Sequence, residues 1–556
     1  MIEAKRLLIM SLLVALFPVV VWGQQTSAVT GVVMDTAGAV ISGVEVKLTD
    51  TKTAKEQSTK TNEQGVYSFV RALPGTGYKL SFTTQGFDTV VITNVSLGVG
   101  VTETYNAQMS VGQITNTVTV TSSGEATLNT TDASIGNVIS TRRLQKLPIQ
   151  IRNSPAALIG LQPGVIGNDV GTGATNRVGS VTGARADQGN ITIDGIDAND
   201  QATGQFSITI GNAPIDSIQE FRTVTANPGA SEGRSSGGQI LMVTKSGDNV
   251  FHGNVREYNR TTLTAANTFF NNKSGIDKPQ LTRNQFGGSL GGPIKKDNMF
   301  FFFDYEGRRD AQGVAYLRIV PLNHFRSGGL AYLNNTAGCP ANARLDARPE
   351  CITILTPAQV ASLDPRGTGA NQALLNFVNQ RYPEANDLTA GNGINTGGFR
   401  FNSPSHRADN TYTTRIDWNA TEKQNFFGNF RIARLLQTDT VNTVAQQFPG
   451  DPETGQILVK DYTWAVGHTW TPKSSLVNKA TVGVARAGAE FPNNFAPAFP
   501  NDFTFGTGAL GLTDPFADID SQDRFIRVPV IRDDLTWTKG RHTLDFGGVF
   551  KPISSK

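Results

Sequence analysis

The sequence is poor in charged residues and nearly balanced in charge. Only 17% of its 556 residues are Asp, Glu, Lys or Arg, and the formal net charge at pH 7 is +3. Nucleic-acid-binding domains usually carry a strong basic patch and a marked excess of Lys and Arg. The balance therefore argues against nucleic acid as a partner, while the length favours two to four domains.

Long apolar runs are absent except at the N-terminus. There, Lys5 and Arg6 precede an apolar run, and Val21 and Gly23 supply small residues for cleavage before Gln24. This pattern predicts a secretory signal, with an N-terminal membrane anchor as the alternative. No later run approaches the roughly 20 residues that a membrane helix needs. We therefore expect an exported protein that, if it enters a membrane, does so as strands.

Cysteine and histidine are also scarce. The two cysteines, Cys339 and Cys351, lie in one short loop-like segment, and the five histidines are scattered. Export permits a disulfide between the cysteines. A zinc site is disfavoured because no His or second Cys pair stands near them. We predict a loop disulfide at Cys339 and Cys351, and no metal or cofactor.

The sequence has no phosphate-binding loop and no H-E-x-x-H motif. It does contain G-x-S-x-G twice, at residues 233–237 and 287–291. A hydrolase nucleophile of that pattern needs a strand, a sharp turn and then a helix. Pro293 and a charged turn follow the second copy instead, so we predict that the protein is not an enzyme.

An acidic series, Asp194, Asp197 and Asp200, stands in the segment "DGIDAND". Calcium binding is one interpretation, but the series lacks the alternating oxygen ligands of an EF-hand loop. Asp and Asn also bond to their own backbone in turns. Local turns are therefore the favoured interpretation.

Residues 24–112 contain short alternating runs such as "VTGVVMD" and "YKLSFTT", separated by turn signals such as "NEQG" and "PGTG". Short, evenly spaced strands predict a β-sandwich. The pattern resembles a carboxypeptidase regulatory-like domain, which implies a carbohydrate-binding-like fold. Sugar binding and a rigid structural spacer remain alternatives for this domain.

After a polar linker at 113–124, residues 125–247 mix helical and strand patterns and predict a small α+β unit. The segments "GARADQGNITIDGIDAND" and "IDSIQEFRTVTANPGASEGRSSGGQILMVTKSG" closely resemble the plug of TonB-dependent outer-membrane receptors. The nearest branch is the Oar-like one, which carries an N-terminal regulatory-like domain. The resemblance continues through "NQFGGSLGGPIKKDNMFFFFDYEGRR".

This resemblance implies a TonB box, an extended segment that pairs with TonB by strand addition. "TNTVTVTS" fits that role, and the candidate residues are Val118, Thr119, Val120 and Thr121. The alternative is that these residues are the last strand of the sandwich or a plain linker. Ligand contact is expected from plug loops at Arg185, Asp187, Asp194, Asp197 and Asn199.

Residues 248–556 alternate as barrel strands do. In "YTTRIDWN", one face would carry Tyr412, Thr414, Ile416 and Trp418, and the other Thr413, Arg415, Asp417 and Asn419. Short polar turns alternate with long connections, which is typical of outer-membrane barrels. Likewise, "FGGSLGG" and "MFFFFDYEG" predict two strands joined by a turn, with Phe301, Phe303 and Tyr305 toward lipid.

The predicted fold is mainly β: a sandwich, an α+β plug, and then antiparallel transmembrane barrel strands. We count about nine barrel strands, whereas transporters of the resembling family close with twenty-two. A sheet with two open edges in lipid is prohibitive. We therefore expect a truncated gene product or a fragment, with an incomplete barrel.

The expected function is that of an outer-membrane receptor and transporter that takes up a large ligand. The resemblance implies TonB, energised by the inner-membrane ExbB/ExbD complex, as a partner, with the N-terminal domain in the periplasm. Siderophore, oligosaccharide, peptide and cobalamin all remain open as ligands, with a carbohydrate or a siderophore favoured. Outer-membrane lipid is expected to surround the barrel. The alternatives are a non-transporting surface-binding or secretion-associated scaffold, or a non-functional fragment.

Overall fold

A computed structural model of the protein describes residues 27–114, 116–121, 134–140, 146, 152, 162–167, 178–185, 188–199, 213–229, 233, 237–267, 272, 277–334, 336–438, 446–451, 455–473, 475–492, 511–515, 522–539 and 542–555. The expected signal peptide, residues 1–23, lies outside these ranges. Within them, no helix is both long enough and apolar enough to cross a membrane.

Two sheets form the N-terminal β domain. One sheet has the order β4-β1-β7, and β8 also pairs with β1. The other has the order β3-β2-β5-β6-β9. Inward positions alternate along the strands, so that Tyr67, Leu80 and Phe82 pack in one shared core. The strands are β1 (Ser27–Asp35), β2 (Glu45–Asp50), β3 (Glu56–Lys60), β4 (Val66–Ala72), β5 (Gly75–Thr83), β6 (Thr89–Leu97), β7 (Thr102–Thr104), β8 (Ala107–Met109) and β9 (Thr117–Thr121).

A five-stranded sheet of order β10-β15-β16-β13-β14 follows, together with the separate hairpin β11-β12. All six residues of β16 are buried. Ile240 and Met242 pack into the core of this unit, whereas Leu241 and Val243 pack against Val99 of the sandwich. Burial on both faces explains the unbroken apolar run in the sequence. The strands are β10 (Ile135–Ser140), β11 (Val165–Gly167), β12 (Val178–Val181), β13 (Asn190–Ile193), β14 (Ile196–Asp197), β15 (Ile218–Ala226) and β16 (Gln239–Thr244).

The remaining long strands form one antiparallel ten-stranded sheet. Its order is β17-β18-β19-β22-β23-β24-β25-β26-β27, with β28 also on β26. The expectation of a mainly β fold with about nine long barrel strands is confirmed. The strands are β17 (His252–Thr261), β18 (Leu281–Lys295), β19 (Met299–Pro321), β22 (Thr396–Thr421), β23 (Gln424–Thr438), β24 (Gln456–Lys473), β25 (Leu476–Phe491), β26 (Gln522–Lys539), β27 (His542–Phe550) and β28 (Ser554–Ser555).

The two faces of this sheet differ as the alternation predicts. On β22, Thr413 and Arg415 are buried, whereas Tyr412, Ile416 and Trp418 are each more than 40% exposed. On this strand the inner face is polar and the outer face apolar, which is the reverse of a soluble sheet that packs on a core. This polarity is the one expected of a barrel wall in lipid.

The glycine- and phenylalanine-rich segment forms the β18-β19 hairpin, with a turn at residues 296–298. Phe303 is exposed on the outer face, whereas Phe300 and Phe302 are buried on the inner one. The segment is therefore part of the sheet. No helix follows the G-x-S-x-G motif, so the geometry of a nucleophile elbow is not present there.

The long connection between β19 and β22 comprises residues 322–395. β19 and β22 stay in register from Met299 opposite Trp418 to Pro321 opposite Thr396, so only residues 322–395 form the loop. The continued ladder satisfies the backbone groups of both strands. The loop contains α1 (Asn323–Arg326), β20 (Leu330–Leu333), β21 (Ile352–Leu355), α2 (Pro357–Leu363) and α3 (Gln372–Arg381), with β20 paired to β21.

Candidate functional site

The five-stranded sheet, for which we keep the predicted name plug, meets the ten-stranded sheet, which we name the wall, at the tight turn between β13 and β14. Asp194 and Gly195 form this turn, with φ values of 50° and 84°. Asp and Gly tolerate such positive φ values, and two-residue hairpins of this kind favour Asp-Gly. The turn places the Asp194 side chain between the end of its own sheet and the wall.

Asp194 is fully buried among donors from both units. From the plug, it accepts bonds from the Thr244 backbone N–H at 3.1 Å and the Thr244 hydroxyl at 2.8 Å. From the wall, Arg415 Nη1 lies 3.2 Å from Asp194 Oδ1, and Asn429 Nδ2 donates to Oδ2. One carboxylate thus joins the plug sheet to two neighbouring barrel strands.

Arg415 is held in place by its own strand. Its Nε and Nη2 donate to the two oxygens of Asp417 at 2.8 and 2.7 Å. Its guanidinium also lies 5.0 Å from the centre of the Phe427 ring. A bidentate carboxylate and a neighbouring ring fix the planar guanidinium through contacts within the wall alone. The remaining Nη1 donor is then aimed at Asp194.

An apolar contact accompanies this ion pair. Ile196, two residues after Asp194, packs with Ala465, Ala485 and Val528 of the wall. Gly483 lies in the same area, and a Cβ there would come within 2.6 Å of Ile196 Cδ1. Small wall residues therefore leave a recess for one branched plug side chain.

A second tie joins the plug to the first barrel strands. Arg256 of β17 lies 3.4 Å from Asp216 of the plug and makes two bonds to Asp304 of β19, at 2.8 and 3.1 Å. Glu306 lies 3.4 Å from the same guanidinium. Gly287 makes room for it, since a Cβ there would lie 3.0 Å from Arg256 Nη2. Three buried carboxylates thus surround one arginine.

The sandwich contacts the plug at the turn that follows β6. Glu220 of β15 accepts a bond from the Val99 backbone N–H at 2.8 Å. Arg222, two residues on, donates to the carbonyls of Val99 and Gly100 and, at 2.8 Å, to the Ser134 hydroxyl. Burial raises the pKa of Glu220 to about 7, and the Val99 N–H opposes that rise.

The sequence did not single out this Glu220 and Arg222 contact. Both residues lie in the segment "IQEFRTVTA", whose other residues are almost all apolar or Thr. An acid and a base two residues apart share one face of a strand. Buried charges are rare unless they are paired. A charged pair within so apolar a strand is therefore the sequence signal from which this contact could have been predicted.

Three long loops pack together at the end of the sheet opposite the short turns, and we name them the outer loops. Arg381 of α3 makes two bonds of 2.6 Å to Asp451 and one of 2.6 Å to the Pro515 carbonyl. Its guanidinium lies 4.9 Å from the centre of the Phe448 ring. Cys339 and Cys351 form a disulfide in the first of these loops, with Cα atoms 5.5 Å apart.

The predicted ligand residues of the plug have different surroundings. Arg185 is exposed, Asp187 lies outside the described residues, and Asp194 is engaged with the wall. Asp197 and Asn199 are buried and bonded to each other, with 2.9 Å between Asn199 N and Asp197 Oδ1. Ligand contact by these five residues stays a prediction.

The calcium interpretation gains no support in the described part of the chain. There, no group of three or more His, Cys, Asp or Glu side chains is arranged to hold a metal ion. Asp197 accepts a bond from the Asn199 backbone N–H, as the turn interpretation expects, whereas Asp194 bonds to Thr244, which is distant in sequence. Asp200 lies outside the described residues.

The candidate TonB-box residues form β9, the edge strand of the second sandwich sheet. β9 pairs in parallel with β6, from Thr89 opposite Thr117 to Thr93 opposite Thr121. Val118 and Val120 are 46% and 48% exposed. The segment is thus a sandwich strand in this structure. As an edge strand, it also presents one row of backbone groups that can pair with another strand.

Comparison with known proteins assigns the barrel sheet. Residues 243–556 match the family described as the outer membrane beta barrel domain. The chain belongs to this outer-membrane family. Residues 28–110 match the carboxypeptidase regulatory-like domain, which covers the N-terminal sandwich. The family places the chain in the outer membrane, as the alternating strands predict.

A characterised relative shares half of the chain. Over 293 residues it is 25% identical to the TonB-dependent transporter Oar of Myxococcus xanthus, which covers 50% of this chain and 26% of the relative. The predicted resemblance to TonB-dependent receptors with a regulatory-like domain is confirmed.

Two outer-membrane proteins are among the solved structures that match the chain. A ferric enterobactin receptor of Pseudomonas aeruginosa is 14% identical, with a TM-score of 0.42 over 75% of this chain and 48% of that one. The outer-membrane transporter YddB of Escherichia coli is 13% identical, with a TM-score of 0.45 over 76% and 48%. The chain spans about half the length of these structures and about a quarter of the curated relative.

Proposed function

We propose that the chain acts as a TonB-dependent outer-membrane receptor and transporter that takes up a large ligand. Its proposed organisation is a signal peptide (1–23), a periplasmic sandwich (24–112), a linker with the TonB box (113–124), a plug (125–247) and a barrel region (248–556). The relative from Myxococcus xanthus is a TonB-dependent transporter, which supports a transport role rather than an enzymatic one.

The exposed edge strand β9 is the observation that carries this proposal. It leaves the sandwich on one side and leads toward the plug strand β10 on the other. TonB, energised by ExbB/ExbD, would add a strand to the free edge of β9 or replace β6 as its partner. Force on this segment would then reach the plug through the chain itself.

The plug must leave the wall for a ligand to pass. Its two buried ties, Asp194 with Arg415 and Asp216 with Arg256, hold it at two places on the inner face. We place the first ligand contacts on the packed outer loops and on the exposed Arg185. A siderophore or a carbohydrate remains the proposed ligand class.

Site-specific cross-linking tests this function directly. The two native cysteines are bonded to each other, so an introduced cysteine would be the one available thiol. Thr119→Cys or Val120→Cys, combined with single-cysteine variants of TonB, should give cross-linked product in energised cells. Ser58→Cys is the matched control, because β3 is the opposite edge of the same sheet. No product at positions 118–121, or equal product at position 58, would contradict the proposal.

A non-transporting surface-binding scaffold is the second candidate. The packing of three outer loops around Arg381 favours it, since a fixed outer surface suits binding without passage. The two functions differ in their response to Val120→Pro, which removes a backbone donor from β9. Loss of ligand uptake with the protein still folded in the membrane supports the transporter, whereas unchanged function supports the scaffold.

A further inference from the structure

Two pairs of like charges lie directly opposite each other on the barrel sheet. Arg434 of β23 is in register with Lys460 of β24, and Arg486 of β25 is in register with Arg527 of β26. The four residues occupy four consecutive strands, and we name them the outer basic patch. Like charges directly opposite on neighbouring strands repel and destabilise a sheet. The patch therefore has a cost that an anion would remove.

The patch faces away from the plug. Arg434 follows the buried Ala433, Arg486 lies between the buried Ala485 and Ala487, and Arg527 precedes the buried Val528. Because side chains alternate along a strand, the basic residues belong to the opposite, outward face. That face is the one that meets lipid in this family of barrels.

The patch lies at one height along the wall. Arg434 and Arg486 come ten residues after the first residues of their strands, and Arg527 and Lys460 come twelve and thirteen residues before the last residues of theirs. Each of the four counts starts at the strand end that adjoins a short turn. At ~3.3 Å per residue and a tilt of roughly 40°, this is about 25 to 33 Å above the turns.

This height matches a lipid headgroup region. The apolar band of an outer-membrane barrel is ~25 Å tall, so the patch lies at its upper limit. Below it, toward the short turns, the outward face is apolar, with Phe430 and Ile531 at least 45% exposed. A molecule with an anionic head above and hydrocarbon chains below is complementary to both surfaces.

Arg486 is prepared for an anion by its neighbours. Its guanidinium lies 5.4 Å from the centre of the Tyr462 ring and 5.2 Å from that of Phe525. Stacking of this kind restrains the planar group and leaves its N–H donors free for bidentate contact with phosphate. One basic residue of the patch already has an acidic partner, since Lys460 Nζ lies 2.9 Å from Glu490 Oε1. The patch still has a net positive charge.

We propose that the outer basic patch binds the phosphate groups of a lipid in the outer leaflet of the outer membrane. The leaflet assignment rests on the orientation in the proposed function, which puts the short turns in the periplasm. A phosphate between Arg486 and Arg527 neutralises their repulsion, and the acyl chains cover the apolar face below. The bound lipid then belongs to the lateral surface of the wall and does not enter the ligand path.

Native mass spectrometry of the full chain in detergent tests this binding. The probes are diphosphoryl lipid A, its dephosphorylated form and cardiolipin. The variant R486Q/R527Q removes one opposed pair, and K423Q/K473Q removes two charges at the short-turn side as a matched control. We expect diphosphoryl lipid A to bind best, and its affinity to fall about fivefold for each patch charge removed. The control should bind as the unmodified chain does.

Three results would overturn the inference: equal binding by R486Q/R527Q and the control, equal binding of dephosphorylated lipid A, or equal binding of cardiolipin. Thermal unfolding of each variant shows whether it is folded. If R486Q/R527Q is not folded, the variant R486K/R527K, which keeps both charges, is measured as well. Val120→Pro separates this inference from the proposed function. If Val120→Pro abolishes ligand uptake but the protein still binds lipid A, the result bears on transport alone and does not contradict lipid binding at the patch.

Discussion

Asp194 of the plug and Arg415 of the barrel form a buried ion pair across 221 residues of sequence, with 3.2 Å between Oδ1 and Nη1. Their side chains are 0% and 2% exposed. A buried pair adds little net stability compared with well-packed apolar residues, because both charges lose their water. The geometry indicates instead that the pair fixes where the plug turn sits on the wall.

Removal of one partner should nonetheless be costly. Asp194→Ala leaves buried donors such as Asn429 Nδ2 without an acceptor, while Arg415 keeps its two bonds to Asp417. The expected cost is about 1 to 3 kcal/mol. Denaturant unfolding in detergent measures this free energy. Asp248→Ala is the control, since its partner His252 is 67% exposed and such surface pairs contribute at most about 1 kcal/mol. Equal effects of the two variants would show that Asp194 is not a tie.

The sequence predicts one half of this contact well and the other half not at all. "IDGI" predicts a tight turn because Asp-Gly suits positive φ values, and "TTRIDWN" predicts an inward Arg415 from alternation alone. Neither pattern gives the height of the turn within the barrel. That height depends on the register of eight strand pairs, and register comes from pairing over hundreds of residues.

The same limit applies to the TonB-box segment. Its alternating Val and Thr residues predict an extended strand, and the structure has that strand as β9. Local sequence does not say which neighbour an edge strand will choose, because any exposed edge offers the same backbone groups. The parallel partner β6 was therefore not predictable from the residues of β9.

Glu220 should make the contact between sandwich and plug depend on pH. Its pKa in the folded protein, about 7, lies above its ordinary value of 4.5, so between these pH values the folded state binds more protons than the unfolded one. The free energy of unfolding then falls as pH rises through this window and is constant above it. The full effect is at most about 3 kcal/mol.

Hydrogen exchange at the Val99 amide measures this effect. After correction for intrinsic rates, protection of residues 95–103 should be lower at pH 8 than at pH 6. Glu220→Gln keeps an acceptor for Val99 without a charge, so it should abolish the difference and raise protection at pH 8. Glu63→Gln is the control, since it removes an exposed carboxyl of the sandwich and leaves Glu220 and its neighbours in place. Identical pH dependence in Glu220→Gln would rule Glu220 out as the titrating group.

The disulfide should stabilise the first outer loop without affecting the barrel. Cys339 and Cys351 are 12 residues apart, and closing a loop of about 15 residues contributes about 3 kcal/mol in the chain-entropy description. Cys339→Ser with Cys351→Ser should therefore speed tryptic cleavage after Arg344, which lies inside the closed loop. The barrel midpoint of thermal unfolding should stay the same. Unchanged cleavage would mean that other loop contacts are sufficient.

Arg381 should hold the three outer loops together. Arg381→Ala removes both bonds to Asp451 and the bond to the Pro515 carbonyl, so hydrogen exchange should rise in residues 446–451 and 511–515. Arg381→Lys keeps the charge but cannot make the paired contact, and it should give an intermediate rise. Arg366→Ala changes an exposed residue of the same loop and serves as the control. If exchange rises only around position 381, the other loops are held by their own contacts, and Arg381 does not join them.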